Sequence, residues 1–177
     1  MPTTEALSET VVRDDLIRAL TSVFATSLGL SVVHQDPKAP GRFAAPSPAA
    51  VPAITQVVGS VGFFGELNGV IYLCFEEVFA RLCTGNMLGL DAAELLATGE
   101  EPVNDAIGEI TNMVVGAFKN GLCDAGFPCK LTIPTVLRGS NVSIGPISSV
   151  RRHTFGFESA GHLIVADILM KAGDLPS

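Results

Sequence analysis

A carboxylate and a carboxamide stand three residues apart within 103–122, and the residues around them are spaced as a helix requires. Val103, Ala106, Ile107, Ile110, Val114, Ala117, Phe118 and Gly121 recur at steps that place them on one helical face. The same spacing aligns Asp105, Glu109, Asn112, Gly116 and Lys119 on the opposite face, with Glu109 and Asn112 one turn apart toward solvent. An ionised glutamate only accepts hydrogen bonds and can pair with a cation; an asparagine both donates and accepts while staying uncharged. Gly108 and Gly116 flank the pair. Each glycine costs about 1 kcal/mol against alanine in a helix interior, so a close approach of some other group is one reason to keep them. Ordinary surface residues at 109 and 112, with glycines that allow tight packing inside the fold, account for the same pattern, and periodicity leaves both readings open.

The elements that must hold this helix follow from the rest of the chain. Leu16, Ile17, Leu20, Val23, Phe24 and Leu28 predict a first amphipathic helix closed at Gly29. Residues 1–12 read as a flexible tail, and residues 35–53, with five prolines among many alanines, read as an exposed loop. Ile54–Phe64 and Gly69–Phe75 are β-branched and aromatic runs, joined by Gly65-Glu66-Leu67-Asn68 as an antiparallel hairpin. Glu76–Leu88 is helical up to Gly89, and Asp91 with Glu94 forms the pattern of a capping box. The long helix spans about Pro102–Ala125, and the tail predicts strands at Asn141–Ile144, Val150–Phe157 and Leu163–Met170. Helices and strands without a regular βαβ repeat give an α+β class, in one domain over 1–177.

Composition narrows the function. The chain of 177 residues is 47 % hydrophobic, enough for a sizeable core, and its net charge of −7 with only 11 Lys and Arg argues against nucleic acid. The first 12 residues lack a basic and apolar leader pattern, and no later stretch has the roughly 18–20 apolar residues of a membrane span, so a cytoplasmic protein without membrane insertion is expected. Cys74, Cys83, Cys123 and Cys129 lack the close pairing of a zinc site and read as buried thiols; no metal site is expected. His34, His153 and His162 are scattered and receive no role.

Asp105-x-x-x-Glu109-x-x-Asn112 followed by Pro134 resembles the signature of the CheC/CheX/FliY chemotaxis phosphatase family at all four positions. The text around it agrees, from Gly65-Glu66-Leu67-Asn68-Gly69 through Ile107-Gly108-Glu109-Ile110-Thr111-Asn112 to Ile133-Pro134-Thr135-Val136. Two-site members carry a second Glu-x-x-Asn pair on the first helix, whereas Asp14–Leu28 contains no asparagine, so the chain is similar to the single-site CheX branch. The resemblance implies a CheC-like fold, with long helices packed on a largely antiparallel sheet, and a homodimer formed through the sheets. It implies hydrolysis of the aspartyl phosphate of a CheY-like response regulator, with no cofactor of the chain's own and Mg²⁺ held by the regulator. Asn112 would then position the attacking water, and Glu109 would pair with the regulator's lysine. Gly108 and Gly116 would open the helix to the regulator's loops, Asp105 would cap or orient the first turn, and Pro134 would shape a turn. A non-catalytic module that docks on a receiver or on the flagellar switch is the alternative, as is a plain structural homodimer. Exposure of Glu109 and Asn112 beside the glycines separates these readings, because burial would remove the catalytic one.

Overall fold

The computed structural model describes residues 8–35, 54–140, 142–145 and 148–172. Ser8 opens helix α1 (Glu9–Val23) by accepting a hydrogen bond from the Val11 N–H at 3.3 Å. The expected tail is therefore corrected at its end only, 1–7 lying outside the described residues: 9–12 are helical, and Val12 is buried because it falls in register with Leu16 and Leu20 on the core face. The helix widens into a π-helical turn, Phe24–Leu28, and ends at Gly29 with φ +65°, the left-handed cap that the sequence predicts. A short strand β1 (Val33–Gln35) follows, so Gln35 belongs to the sheet; 36–53 lie outside the described residues.

Strands β2 (Thr55–Gly65) and β3 (Leu67–Glu76) form the expected hairpin, with Gln56 opposite Glu76 and Phe63 opposite Gly69. The turn is tighter than its four-residue reading. Leu67 is drawn into the core and joins β3, while the Asn68 side chain accepts from the Gly65 N–H at 3.0 Å. Helix α2 (Glu77–Leu88) ends on Gly89 at φ +66°. In α3 (Ala92–Ala97) both arms of the Asp91–Glu94 capping box form, each at 2.9 Å. Helix α4 (Glu100–Asp124) is the long helix. Strands β4 (Cys129–Leu131), β5 (Thr135–Ser140), β6 (Arg151–Ser159) and β7 (His162–Ala172) complete the chain.

The expected strand at Asn141–Ile144 is not formed by 142–145; Asn141 lies outside the described residues. The strand lies earlier, over the β-branched run after Pro134. Val142 then donates to the Gln56 side chain at 3.0 Å instead of entering a ladder. The described strands form one sheet in the order β1-β6-β7-β3-β2-β4, with β5 also on β2, and every pairing is antiparallel. This is the α+β architecture expected from the sequence.

The helices cover one side of that sheet. Gly59 of β2 faces Thr111 and Ile107 of α4, so by alternation Val61, Phe63, Ile71, Leu73, Ala166 and Ile168 face the helices too. All are buried, and Phe63 packs on Phe118 of α4 with ring centroids 6.1 Å apart. The opposite side carries Asp167, only 3 % exposed. Its carboxylate accepts from Arg152 Nε at 2.8 Å and from Thr154 Oγ1 at 3.2 Å, and Arg152 also reaches the Ile144 carbonyl at 2.9 Å. Arg152→Ala would leave that carboxylate one weak donor, so a loss of about 1–3 kcal/mol is expected. Urea unfolding checks it: a midpoint equal to wild type would show that the pair holds nothing.

Candidate functional site

Helix α4 is placed by its two ends and one close contact. Its first turn holds Glu100, Glu101 and Pro102, two carboxylates favoured by the helix dipole and a proline where no backbone donor is required. Farther along, Thr111 is fully buried and donates its hydroxyl to the Ile107 carbonyl at 2.7 Å. It rests on Gly59, where even a methyl group would overlap it, so the helix backbone sits unusually close to β2. At the far end Gly121 gives room to the Asp15 carboxylate of α1, which pairs with Arg18. Burial pushes the Asp15 carboxyl above its ordinary pKa, against the opposing pull of Arg18.

This placement turns the predicted line of residues outward. Asp105 and Glu109 are exposed, and Asn112 and Gly116 are half-buried. The side chains of Asp105, Glu109 and Asn112 hydrogen-bond to no described residue, so the carboxylates and the carboxamide are available to a partner. A neutral group able to donate and accept, next to two carboxylates on one rigid helix, can orient a water and bind a cation at a fixed separation.

Three of the flanking positions differ from their expected parts. Gly108 is not an open gap; it is buried, and a Cβ there would touch Val136 at 3.5 Å and Pro134 at 3.9 Å of the chain's own edge strand. Pro134 is thereby brought against the residue before Glu109, at the rim of the site and not remote from it. Asp105 does not cap α4, which begins five residues earlier on Gly99; it lines a shallow groove with Met87, Leu88, Pro102, Ala106 and Glu109. Gly116 alone keeps the expected form, with nothing within 4 Å of the Cβ it lacks.

Other chemistry is not assembled. Burial pushes the Cys74 thiol up to about 11 and Cys83 to about 12, so both stay protonated near neutrality. Each histidine lies beside a phenylalanine: His34 meets Phe157 edge-on at 5.4 Å, His153 stacks on Phe155 and His162 on Phe79. Among the described residues no group of three or more His, Cys, Asp or Glu converges to hold a metal ion, and no helix is long and apolar enough to cross a membrane.

Sequence reasoning misses the Gly59–Thr111 seat and the Leu88 side of the groove. A lone glycine inside a β-branched run is a signal for the first, because it marks a close backbone approach. The second has no signal, since it arises only when α2 and α4 pack together.

The family model described as chemotaxis phosphatase CheX matches residues 57–158, a span that holds Asp105, Glu109, Asn112 and Pro134. The fold is similar to that of the chemotaxis protein CheX from Vibrio vulnificus, at TM-score 0.72 and 25 % identity, covering 93 % of this chain and 97 % of that one. It is also similar to CheX of the CheX–CheY–BeF3–Mg²⁺ complex from Borrelia burgdorferi, at TM-score 0.63 and 19 % identity over 90 % of this chain and 97 % of that one. FliY from Thermotoga maritima follows at TM-score 0.61 and 16 % identity, covering 91 % and 90 %. Among curated proteins none matches.

Proposed function

The chain belongs to the family of chemotaxis phosphatases CheX, and from that premise we propose that it hydrolyses the aspartyl phosphate of a CheY-like response regulator through Glu109 and Asn112 of α4. The observation that carries this reading is that both side chains stand one turn apart on an exposed helix face with no described partner. The relative from Borrelia burgdorferi forms a complex with CheY, BeF3 and Mg²⁺, which supports the choice of partner and is consistent with Mg²⁺ being held by the regulator.

The regulator's own Mg²⁺ and lysine neutralise most of the charge that develops on the phosphoryl group. What remains is to place a water in line with phosphorus. The Asn112 carboxamide does this by hydrogen bonding, without adding negative charge beside an anion. Glu109 pairs with the regulator's lysine and so fixes the register of the helix across the regulator's active-site mouth. Asp105 adds a second negative charge to that approach, and Gly116 leaves the helix backbone open beyond Asn112. Pro134, against Gly108, supports the helix from the sheet edge. The reading assigns the protein to the cytoplasm, where the regulator is phosphorylated. A homodimer through the sheets would use the side away from the helices, where Phe64 and Leu137 are exposed.

Phosphate release from an acetyl-phosphate-charged, Mg²⁺-loaded receiver tests the reading. Acceleration is expected; binding without acceleration for every receiver of the source organism would leave a docking module as the better account. Glu109→Ala is expected to raise KM for the charged receiver about tenfold, as loss of one charge-assisted contact does, and to lower kcat less. Steady-state rates over a range of receiver concentrations decide this, and an unchanged KM would remove the anchoring role.

A further inference from the structure

The sheet edge beside α4 carries a residue that the proposed chemistry does not use. In β4, Leu131 pairs with Phe63, and the Thr132 N–H then donates to the Gly62 carbonyl at 2.9 Å. In β5 the ladder resumes with Thr135 opposite Ser60. Two residues, Ile133 and Pro134, therefore oppose the single Val61, which is a β-bulge. Leu131 and Val136 both lie on the helix side although five residues separate them, an odd step that strict alternation forbids; the bulge is where the phase changes.

Ile133 in this bulge is 85 % exposed. Single exposed apolar residues are common and usually mean nothing. Leu96, 87 % exposed on the six-residue α3, is one of that kind. Ile133 differs by place and by rigidity. Its neighbour Pro134 lies against Gly108, the residue before Glu109, so Ile133 stands at the rim of the exposed helix face. It is pinned from both ends: the Gly62 N–H donates to Thr132 Oγ1 at 2.9 Å, and Pro134 fixes the backbone just before the β5 ladder begins. A β-branched side chain on such a backbone has little freedom left to lose on binding. Across the helix, Leu88 is 53 % exposed beside Asp105 and Glu109, so the polar line runs between two apolar shoulders.

We propose that Ile133 is a docking residue for the phosphorylated receiver domain, which it grips by apolar contact at the rim while Glu109 and Asn112 meet the receiver's active site. This rests on the function proposed above, and it adds affinity without adding chemistry.

The test uses the full chain as wild type, Ile133→Ala and Ile133→Asp, with CheY-like receivers of the source organism as probes. Binding is read on receivers charged with beryllofluoride and Mg²⁺, and turnover on receivers charged with acetyl phosphate. Ile133→Ala should weaken Kd and raise KM about 15- to 50-fold, the range expected for losing two or three buried methylenes, with Ile133→Asp weaker still. The kcat at saturation should stay within about twofold and the melting temperature within about 2 °C, because the residue is exposed in the free protein. An active wild type with KM unchanged in both variants would overturn the docking role and leave the phosphatase reading standing. A wild type that neither binds nor dephosphorylates any receiver would overturn both. A change in solution mass that accompanies the lost affinity would also overturn it, since the bulge would then be a contact between copies of this chain.

Discussion

Asn112→Ala is expected to slow phosphate release about 10²- to 10³-fold, or roughly 3–4 kcal/mol of transition-state stabilisation. The regulator supplies the metal and the lysine, so placing the water is the main part left to this chain, and one carboxamide performs it. Binding should survive. Kd for a beryllofluoride-charged receiver should change by less than about threefold, because the water-positioning interaction matters in the transition state more than in the complex. Folding should survive as well: Asn112 is half-buried and its side chain hydrogen-bonds to no described residue. Asn112→Asp separates positioning from shape. It is nearly isosteric yet adds a negative charge beside the phosphoryl group, so a loss at least as large as that of alanine is expected. Single-turnover dephosphorylation with excess phosphatase measures the step directly; an alanine variant that keeps a third of the wild-type rate would end the role assigned to Asn112.

Much of this site is legible before the fold is known, and the reasons are local. The face of α4 follows from residues three and four apart, which interact only through helix geometry. The Gly29 and Gly89 caps and the Asp91–Glu94 box likewise involve partners within a few residues. What escapes the sequence depends on contacts far apart in the chain. Gly108 falls at the border between the two faces of α4, and only the strand laid opposite decides that it is covered. That strand, β5, is hidden because Pro134 interrupts the apolar run and because β4, with only three residues, is too short to declare itself. Proline inside a strand-like stretch does signal an edge or a bulge, so Ile133-Pro134 carries a hint of its position that composition alone does not. The strand expected at Asn141–Ile144 fails for the opposite reason: its residue types suit a strand, but the Val142 N–H is taken by the Gln56 side chain and 142–145 enter no ladder.

Gly59→Ala is expected to destabilise the protein by about 2–4 kcal/mol and to lower its melting temperature by about 5–15 °C. The added methyl would overlap the Thr111 hydroxyl, lie 2.9 Å from Thr111 Cβ and 3.3 Å from Ile107 Cγ2. The hydroxyl cannot simply swing aside, because it is held on the Ile107 carbonyl in a fully buried site. The helix must therefore rise from β2 or the strand must bend. Either movement displaces Asn112, the next residue along. Since a displacement near 1 Å can cost a reacting geometry about 10²-fold, phosphate release should fall at least tenfold even at temperatures where the variant is fully folded. Thr111→Ala in the same chain removes the hydroxyl and relieves the worst overlap while leaving the 2.9 Å approach. The double variant should thus recover part of both stability and rate, with a coupling of about 1–2 kcal/mol. Thermal melts and single-turnover rates of the two single variants and the double close this cycle. Additive effects would show that α4 is not seated through this contact, whereas recovery of stability without recovery of rate would show that the height of the helix over β2 does not set the position of Asn112.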